Sequence, residues 1–474
     1  MNQIKKVIVI GAGASGIAAA TRLYERGIRN ILVLEAENRI GGRVHTVDLP
    51  SGGLVEYGAQ FIHGQKKNVV HELASALNLV GTNDCAFVEN CVFIKTSADM
   101  VDREIGDKLL ELFYGITSKI DVSEVKSHTS TADYFIPRLE EGFDELHLDQ
   151  KYSDVKKEFI DWCHQMMNSI DGSESWFDSS ISTLDEYWEC EGNQLIMWKT
   201  GYKTLFSLLT AKSQEIANGK FLDENVITNK PVRKISLNDD LVRVECEDGD
   251  SYLANHVILT VSLGVLREKY QEMFDGISLP EKKILALNNF GFSTVNKIFI
   301  KYPHRCLPKD INCLCLLWSE QDKEEYAKQG LEWLTDVFSF HRTQHADDVL
   351  CGWIVGPSSR KMEELSEEEI KVHVTTLLRK LLGAHFEIVD AEYCLRSTWS
   401  SNKHFRGVYS YRTPASEELG ITSDFLSSPL TNKNDIPVIL FAGEATHPHY
   451  YSTVHGAVET GWREADRILS SNEV

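Results

Sequence analysis

No apolar run of about 18 residues occurs in the 474-residue chain, which argues against an α-helical membrane anchor. No Cys-x-x-C pair occurs among the ten cysteines. Scattered thiols of this kind point away from a disulfide framework or a zinc ribbon and toward a reducing compartment. Basic charge is in deficit: 49 Lys and Arg stand against 70 Asp and Glu, a net charge of −21. Nonspecific nucleic-acid binding is excluded, whereas a cationic small molecule would be drawn to a cleft; an ordinary acidic protein has the same balance. Internal repeats, low-complexity tracts and a Pro/Gly/Ser-rich linker are also missing, so the parts of the chain are expected to pack permanently against one another and enclose a site between them. A signal peptide is not expected, because the first buried strand begins at Val7. The closing Ser471-Asn472-Glu473-Val474 is not a Ser-Lys-Leu type address. A cytoplasmic protein without membrane or nucleic-acid partners is the expectation, with the oligomeric state open.

What is present begins at the N-terminus. Gly11-Ala12-Gly13-Ala14-Ser15-Gly16 follows the apolar run Val7-Ile8-Val9-Ile10, and a second run, Ile31-Leu32-Val33-Leu34, delivers Glu35 nineteen residues beyond Gly16. This is a strand–helix–strand dinucleotide site. Gly11 permits the tight turn, Gly13 admits a pyrophosphate close to the backbone, Gly16 lets the helix pack on the sheet, and Ser15 lies in the same turn. The helix amides would hold the pyrophosphate. Glu35 would accept hydrogen bonds from a ribose and disfavour a 2′-phosphate.

Next comes Asn38-Arg39-Ile40-Gly41-Gly42-Arg43, where a glycine pair admits close approach and the Arg43 guanidinium suits phosphate oxygens. Far downstream, Val438-Ile439-Leu440-Phe441-Ala442-Gly443-Glu444-Ala445 reads as another buried strand ending in an acid. Both ends of the chain would then share one nucleotide domain. At this point the sequence resembles the flavin-containing amine oxidases, from Lys6 to about Leu469. The resemblance implies an α/β fold: a Rossmann-like FAD-binding domain from 1–84, 201–280 and 397–474, and a discontinuous substrate domain of mixed sheet plus helices from 85–200 and 281–396. Periodicity agrees in outline. Residues 85–195 read as mostly helical, with Lys108–Phe113 and Val155–Met167 as examples. Val232–Ile235, Leu241–Cys246 and His256–Val261 read as strands, the last two joined through Asp248-Gly249-Asp250. Val295–Tyr302 and Cys313–Trp318 read as strands ahead of an amphipathic helix, Glu367–Leu382.

Candidate site residues come from separated segments. In Gly58-Ala59-Gln60-Phe61-Ile62-His63-Gly64 the resemblance puts Ala59, Gln60 and Phe61 against the flavin ring and His63 in the tunnel facing it. His at that position is the animal polyamine oxidase pattern, where plant enzymes that degrade polyamines terminally carry Glu; a satisfied core histidine is the plainer alternative. Lys297 interrupts an apolar strand, and a buried ammonium needs a partner. Strand parity puts it on one face with Val295 and Phe299. The resemblance implies that Lys297 holds a water against flavin N5; a solvent-facing edge lysine is the alternative.

Trp399 resembles the family's flavin-packing tryptophan and Tyr409 the first tyrosine of its amine-guiding cage. Val408 stands where the monoamine oxidases carry the cysteine that tethers flavin, which implies noncovalent FAD. Tyr411 suits a half-buried strand. Glu444 matches the acid at the FAD ribityl or phosphate region, with Gly443 before it, and Val232 is placed among the FAD contacts. Thr453-Val454 begins a helix whose amides would approach the flavin's carbonyl end. Thr453 also stands at the position of the second cage tyrosine, so the Ser452 and Thr453 hydroxyls would replace that wall as substrate contacts. His447, His449 and His455 are irregularly spaced and lack acidic companions, so no metal is expected. Asp178 and Ser180 resemble the acid-x-Ser that meets a distal ammonium in animal polyamine oxidases, or form a surface turn; Glu189 and Glu191 are the next candidates.

The activity implied is FAD-dependent oxidation of N1-acetylspermine, N1-acetylspermidine or spermine, with hydride passing to flavin N5 and O2 reduced to H2O2. Cleavage on the exo side of the secondary nitrogen would give an aminoaldehyde and a shorter polyamine. Lys297, His63 and Tyr409 would be the catalytic group, with small-molecule polyamine and O2 as the partners. Two alternatives remain: another flavin amine oxidase acting on a monoamine or methyl-lysine, and a flavoprotein without turnover. A histone lysine demethylase normally carries a helical tower and a recognition domain, for which 474 residues leave no room.

Overall fold

The structure is a computed structural model and describes residues 4–81, 90–148, 152–211, 220–238 and 240–471. Four parallel strands form the heart of the larger sheet: Ile31–Leu34, Lys5–Ile10, Ser251–Leu259 and Pro437–Phe441. Their side chains are buried on both faces, as a parallel sheet requires. The long strand Ser251–Leu259 pairs antiparallel with Leu241–Cys246 through its first half, and Val232–Asn238 follows. The first helix, Ala14–Glu25, packs on this sheet beside the last one, Val454–Ser471. The Arg22 guanidinium donates to both oxygens of Asp466, at 2.6 and 2.7 Å, and the Ser15 and Thr460 hydroxyls lie 3.3 Å apart. Two segments more than 400 residues apart in sequence thus close one layer.

A second, six-stranded sheet is ordered Tyr393–Arg396, Val295–Lys301, Ala346–Val355, Ser339–Thr343, Cys313–Leu317, Cys91–Lys95. Neighbours run antiparallel except the last pair, which is parallel. One face carries the helix Glu367–Leu382, whose Ser366 and Glu369 form a capping box. Helices Arg103–Thr117, Thr131–Leu146 and Val155–Asp171 cover Phe93, Cys313, Cys315 and Leu317 on the other face. Each apolar side of the sheet is therefore buried against helices.

Two corrections to the sequence reading follow. Cys91–Lys95 is a strand inside a region read as mostly helical, and the hairpin of Ser339–Thr343 with Ala346–Val355 was not read at all. A five-residue buried run has neither the length nor the alternation that separates a strand from a helix turn, and its pairing partner lies about 220 residues away. The strand of Lys297 is an interior one, flanked on both sides, which removes the edge-lysine alternative.

The close backbone approach of the first and last helices generates a prediction. A Cβ on Gly461 would lie 2.2 Å from the carbonyl oxygen of Ser15. Gly461→Ala should force the two helices apart and destabilise the fold by about 1–3 kcal/mol, seen as a lower melting temperature. An unchanged melting temperature would show that the helix contact is loose.

Candidate active site

The turn after the first strand is built as its glycines require. Gly11 sits at φ +102°, a conformation that strains a residue with a Cβ. A Cβ on Gly16 would lie 1.9 Å from the Gly11 carbonyl oxygen, far inside contact distance. No side chain caps the following helix at Gly13, so its first amides face the cavity in front of them. Glu35 accepts from the Ala12 amide at 2.6 Å and the Glu37 amide at 2.8 Å, and burial raises its pKa despite those bonds. Lys230 donates its amide to the Glu35 carbonyl, and this brings Val232, two residues on, into the same cavity wall.

One cavity of about 1040 Å³ joins this end to the substrate sheet. Gly11, Gly13, Ser15, Glu35, Arg43, Ala59, Gln60, Phe61, Val232, Trp399, Gly443, Glu444, Thr453 and Val454 all line it, and so do His63, Lys297, Tyr409, Ser180 and Ser452. Gly16 is buried behind the wall as a packing residue. Segments spread along the chain therefore converge on one cavity, whose wall also includes Glu189 but neither Glu191 nor Asp178. Asp178 is exposed and lies outside the wall, its amide closing a turn onto Ser175. The Asp-Ser turn alternative describes it better than the ammonium anchor.

Within the wall, hydrogen bonding refines several roles. Lys297 donates to the Glu56 carbonyl at 3.0 Å, the Gly58 carbonyl at 2.8 Å and Gln60 Oε1 at 2.9 Å. All three ammonium protons thus have protein acceptors, and Nζ lies 4.8 Å from the centre of the Trp353 ring. Burial lowers the Lys297 pKa, and the neighbouring Glu56 carboxyl is raised by the same cause. Arg43 pairs with Glu444 at 2.9 Å and donates to the Val408 carbonyl. The other oxygen of Glu444 accepts from Ser410 Oγ at 2.8 Å and the Ser452 amide at 2.9 Å. Glu444 therefore braces Arg43 and the Ser452 turn from behind, and is not a free carboxylate reaching for a ligand.

The two expected substrate hydroxyls are also engaged. Thr453 Oγ1 donates to the Tyr450 carbonyl at 2.7 Å and accepts the Gly456 amide at 3.0 Å as the cap of the last helix. Ser452 Oγ donates to the Ser410 carbonyl. Each can offer a ligand only a remaining lone pair. Trp399 is anchored by Nε1 to the Tyr57 carbonyl at 3.1 Å and by its amide to Asn296 Oδ1 at 3.2 Å. The Tyr409 hydroxyl donates to the Ser169 carbonyl at 2.6 Å, which turns the ring into the wall. Burial depresses the His63 pKa, so the imidazole is neutral at pH 7.

The sequence reading missed Tyr451, Tyr187, Trp353 and Asp171, all in the wall. Tyr451 and Tyr187 meet edge to face at 5.3 Å. Tyr451 stands two residues before Thr453, so aromatic surface absent at 453 is supplied from 451. The run Tyr450-Tyr451-Ser452-Thr453 was the available signal. A further cluster lies outside the cavity wall. Cys91, Cys313 and Cys315 bring their Sγ atoms within 4.8 Å of one another, because parallel pairing puts Cys91 opposite Cys313. All three are packed in the apolar layer with Phe93 and Trp162.

Among the described residues no helix is long and apolar enough to cross a membrane. The family profile described as "Flavin containing amine oxidoreductase" matches residues 14–469. The chain is 32% identical to a human protein named peroxisomal N(1)-acetyl-spermine/spermidine oxidase, over 98% of this chain and 95% of that one. It is 26% identical to polyamine oxidase 1 of Zea mays over 98% and 90%, respectively. Human lysine-specific histone demethylase 2 is 27% identical over 98% of this chain but only 53% of its own length. The glycine turn, the two-sheet cavity and the whole-chain match lead to one statement: the protein belongs to the flavin-containing amine oxidoreductase family, with FAD as its cofactor.

Proposed function

We propose that the chain is an oxidase of polyamines, acting on spermine or its N1-acetyl derivatives with O2 as acceptor. The observation that carries this reading is that one cavity is lined both by the dinucleotide turn with Glu35 and by Lys297, six tyrosines and acidic side chains. Aromatic faces and carboxylates are the groups that receive ammonium ions. The name borne by the human relative agrees in substrate class. Nine free cysteines among the described residues support a reducing setting.

The residues fit the cofactor. The uncapped helix start at Gly13 would take the pyrophosphate, Glu35 the ribose, and the Trp399 and Gly58–Phe61 walls the ring. When bound, FAD would supply a two-electron acceptor for the hydride of the carbon beside the amine nitrogen, with O2 as the final acceptor and H2O2 as the product. Lys297 fastens Glu56, Gly58 and Gln60, and so holds the segment that would lie along the ring. Neutral His63 places an uncharged donor and acceptor in the wall, where it leaves the reacting nitrogen unprotonated. Tyr409, fixed through Ser169, shapes the amine passage and excludes water. Water then hydrolyses the imine product to an aldehyde and a shorter amine. The methyl-lysine alternative calls for the same chemistry on a longer ligand, and a substrate panel separates the two.

That panel is the test: spermine, N1-acetylspermine, N1-acetylspermidine, benzylamine and a dimethyl-lysine peptide, each assayed for H2O2 and product mass. The polyamines should be turned over to spermidine or putrescine, with the monoamine and the peptide at least about 10-fold poorer. Preference for the peptide or for benzylamine would overturn the reading.

Attachment of the cofactor is open to a direct check. Val408 offers no nucleophile, and no described residue lining the cavity is a cysteine. Acid precipitation should leave the flavin colour in the supernatant; colour retained in the pellet would show a covalent bond.

Lys297→Met removes the ammonium at little change in length. It should retain FAD and slow flavin reduction or reoxidation by about 10-fold or more, equivalent to about 1.4 kcal/mol of barrier. Stopped-flow traces unchanged in both half-reactions would show that neither step depends on the hold of Lys297 on the Glu56–Gln60 segment.

A further inference from the structure

Three thiols meet outside the cavity wall, on the sheet face that helices Arg103–Thr117 and Val155–Asp171 cover. Cys313 and Cys315 are two residues apart in one strand and so point to the same side. Parallel pairing sets Cys91, the first residue of the edge strand Cys91–Lys95, opposite Cys313. The three Sγ atoms all lie within 4.8 Å of one another, and those of Cys313 and Cys315 are 3.7 Å apart. None of the three is in a disulfide.

That spacing is close to what a bound ion imposes. With metal–sulfur bonds of about 2.3 Å, three sulfurs around a central ion stand about 4 Å apart. A pair at the outer limit of 4.8 Å has less than about 1 Å to close. The donor set specifies the kind of ion. Hard cations take oxygen ligands, and zinc in structural sites is almost always four-coordinate. Among the described residues no fourth His, Cys, Asp or Glu joins the group, and the surrounding layer holds Phe93, Phe113 and Trp162. Three sulfurs alone in such a layer suit a soft monovalent ion. One thiolate cancels a single positive charge, so entry with release of one thiol proton leaves the apolar layer neutral. Cys91 is 8% exposed against 1% for each of the other two, which puts the way in at the edge of the sheet.

We propose that Cys91, Cys313 and Cys315 form a three-sulfur site for copper(I), separate from the site of amine oxidation. The bound ion ties the edge strand to its neighbour, joining segments more than 200 residues apart in sequence. The site stands independently of the polyamine reading.

To test it, the holoenzyme is titrated anaerobically with Cu(I) against a competing Cu(I) chelator, and the loaded protein is studied by X-ray absorption at the copper edge. One Cu(I) per chain should be retained, with three sulfurs at about 2.3 Å. The melting temperature should rise, as with any ligand that binds only the folded state. Cys91→Ser and Cys313→Ser should each weaken retention by about 10-fold or more. Cys394→Ser, which alters a buried thiol on the opposite face of the sheet, should match wild type. The wild-type spectrum decides even where a variant fails to fold: no retained copper, or a shell of nitrogen or oxygen, overturns the proposal. Retention unchanged in Cys91→Ser and Cys313→Ser, a loss in Cys394→Ser equal to theirs, or zinc held in preference to Cu(I) overturns it as well.

Discussion

A lysine ammonium in the interior of a sheet costs several kcal/mol unless each of its protons finds an acceptor. In the strand Val295–Lys301 that requirement is met from the other half of the molecule, by two carbonyls and one side-chain oxygen of the Glu56–Gln60 segment. The demand of one buried charge thereby fixes where the six-stranded sheet stands relative to the dinucleotide turn, and with it the width of the cavity between them. Asn296, on the opposite face of the strand, adds a second clasp through Ser359, Glu363 and Ser397. The loop of Trp399 is held by the same asparagine.

Around that clasp, polar residues that read as ligand contacts serve as scaffold. Glu444 spends its oxygens on Arg43, Ser410 and the Ser452 amide, and Thr453 caps a helix. Such arrangements preorganise a wall: a cavity shaped by satisfied backbone groups does not need to reorganise when a flat ring and a long amine enter it. Asp171, in the same wall, takes a hydrogen bond from Ser179 and has no ion-pair partner among the described residues.

Charge is distributed in keeping with a cationic substrate. The net charge of −21 supplies a long-range attraction that salt screens within about 10 Å. Discrimination among nitrogens of similar chemistry needs a fixed charge at a fixed place. A carboxylate in the cavity wall acts locally, where the dielectric is low and screening weak.

The sequence by itself determined the dinucleotide turn, because Gly11, Gly16 and Glu35 act on neighbours a few residues away and their spacing encodes the geometry directly. It also determined that Lys297 lies in an apolar strand, since parity along a strand is local. Tertiary structure alone decided which acid enters the cavity. Asp171 and Asp178 are seven residues apart and chemically alike, and only the packing of Tyr409 and Ser169 at a helix end turns the first inward while the second stays in an exposed turn. The strand Cys91–Lys95 and the thiol cluster it completes were likewise invisible in the sequence, because register between segments far apart in the chain leaves no periodic trace in either one.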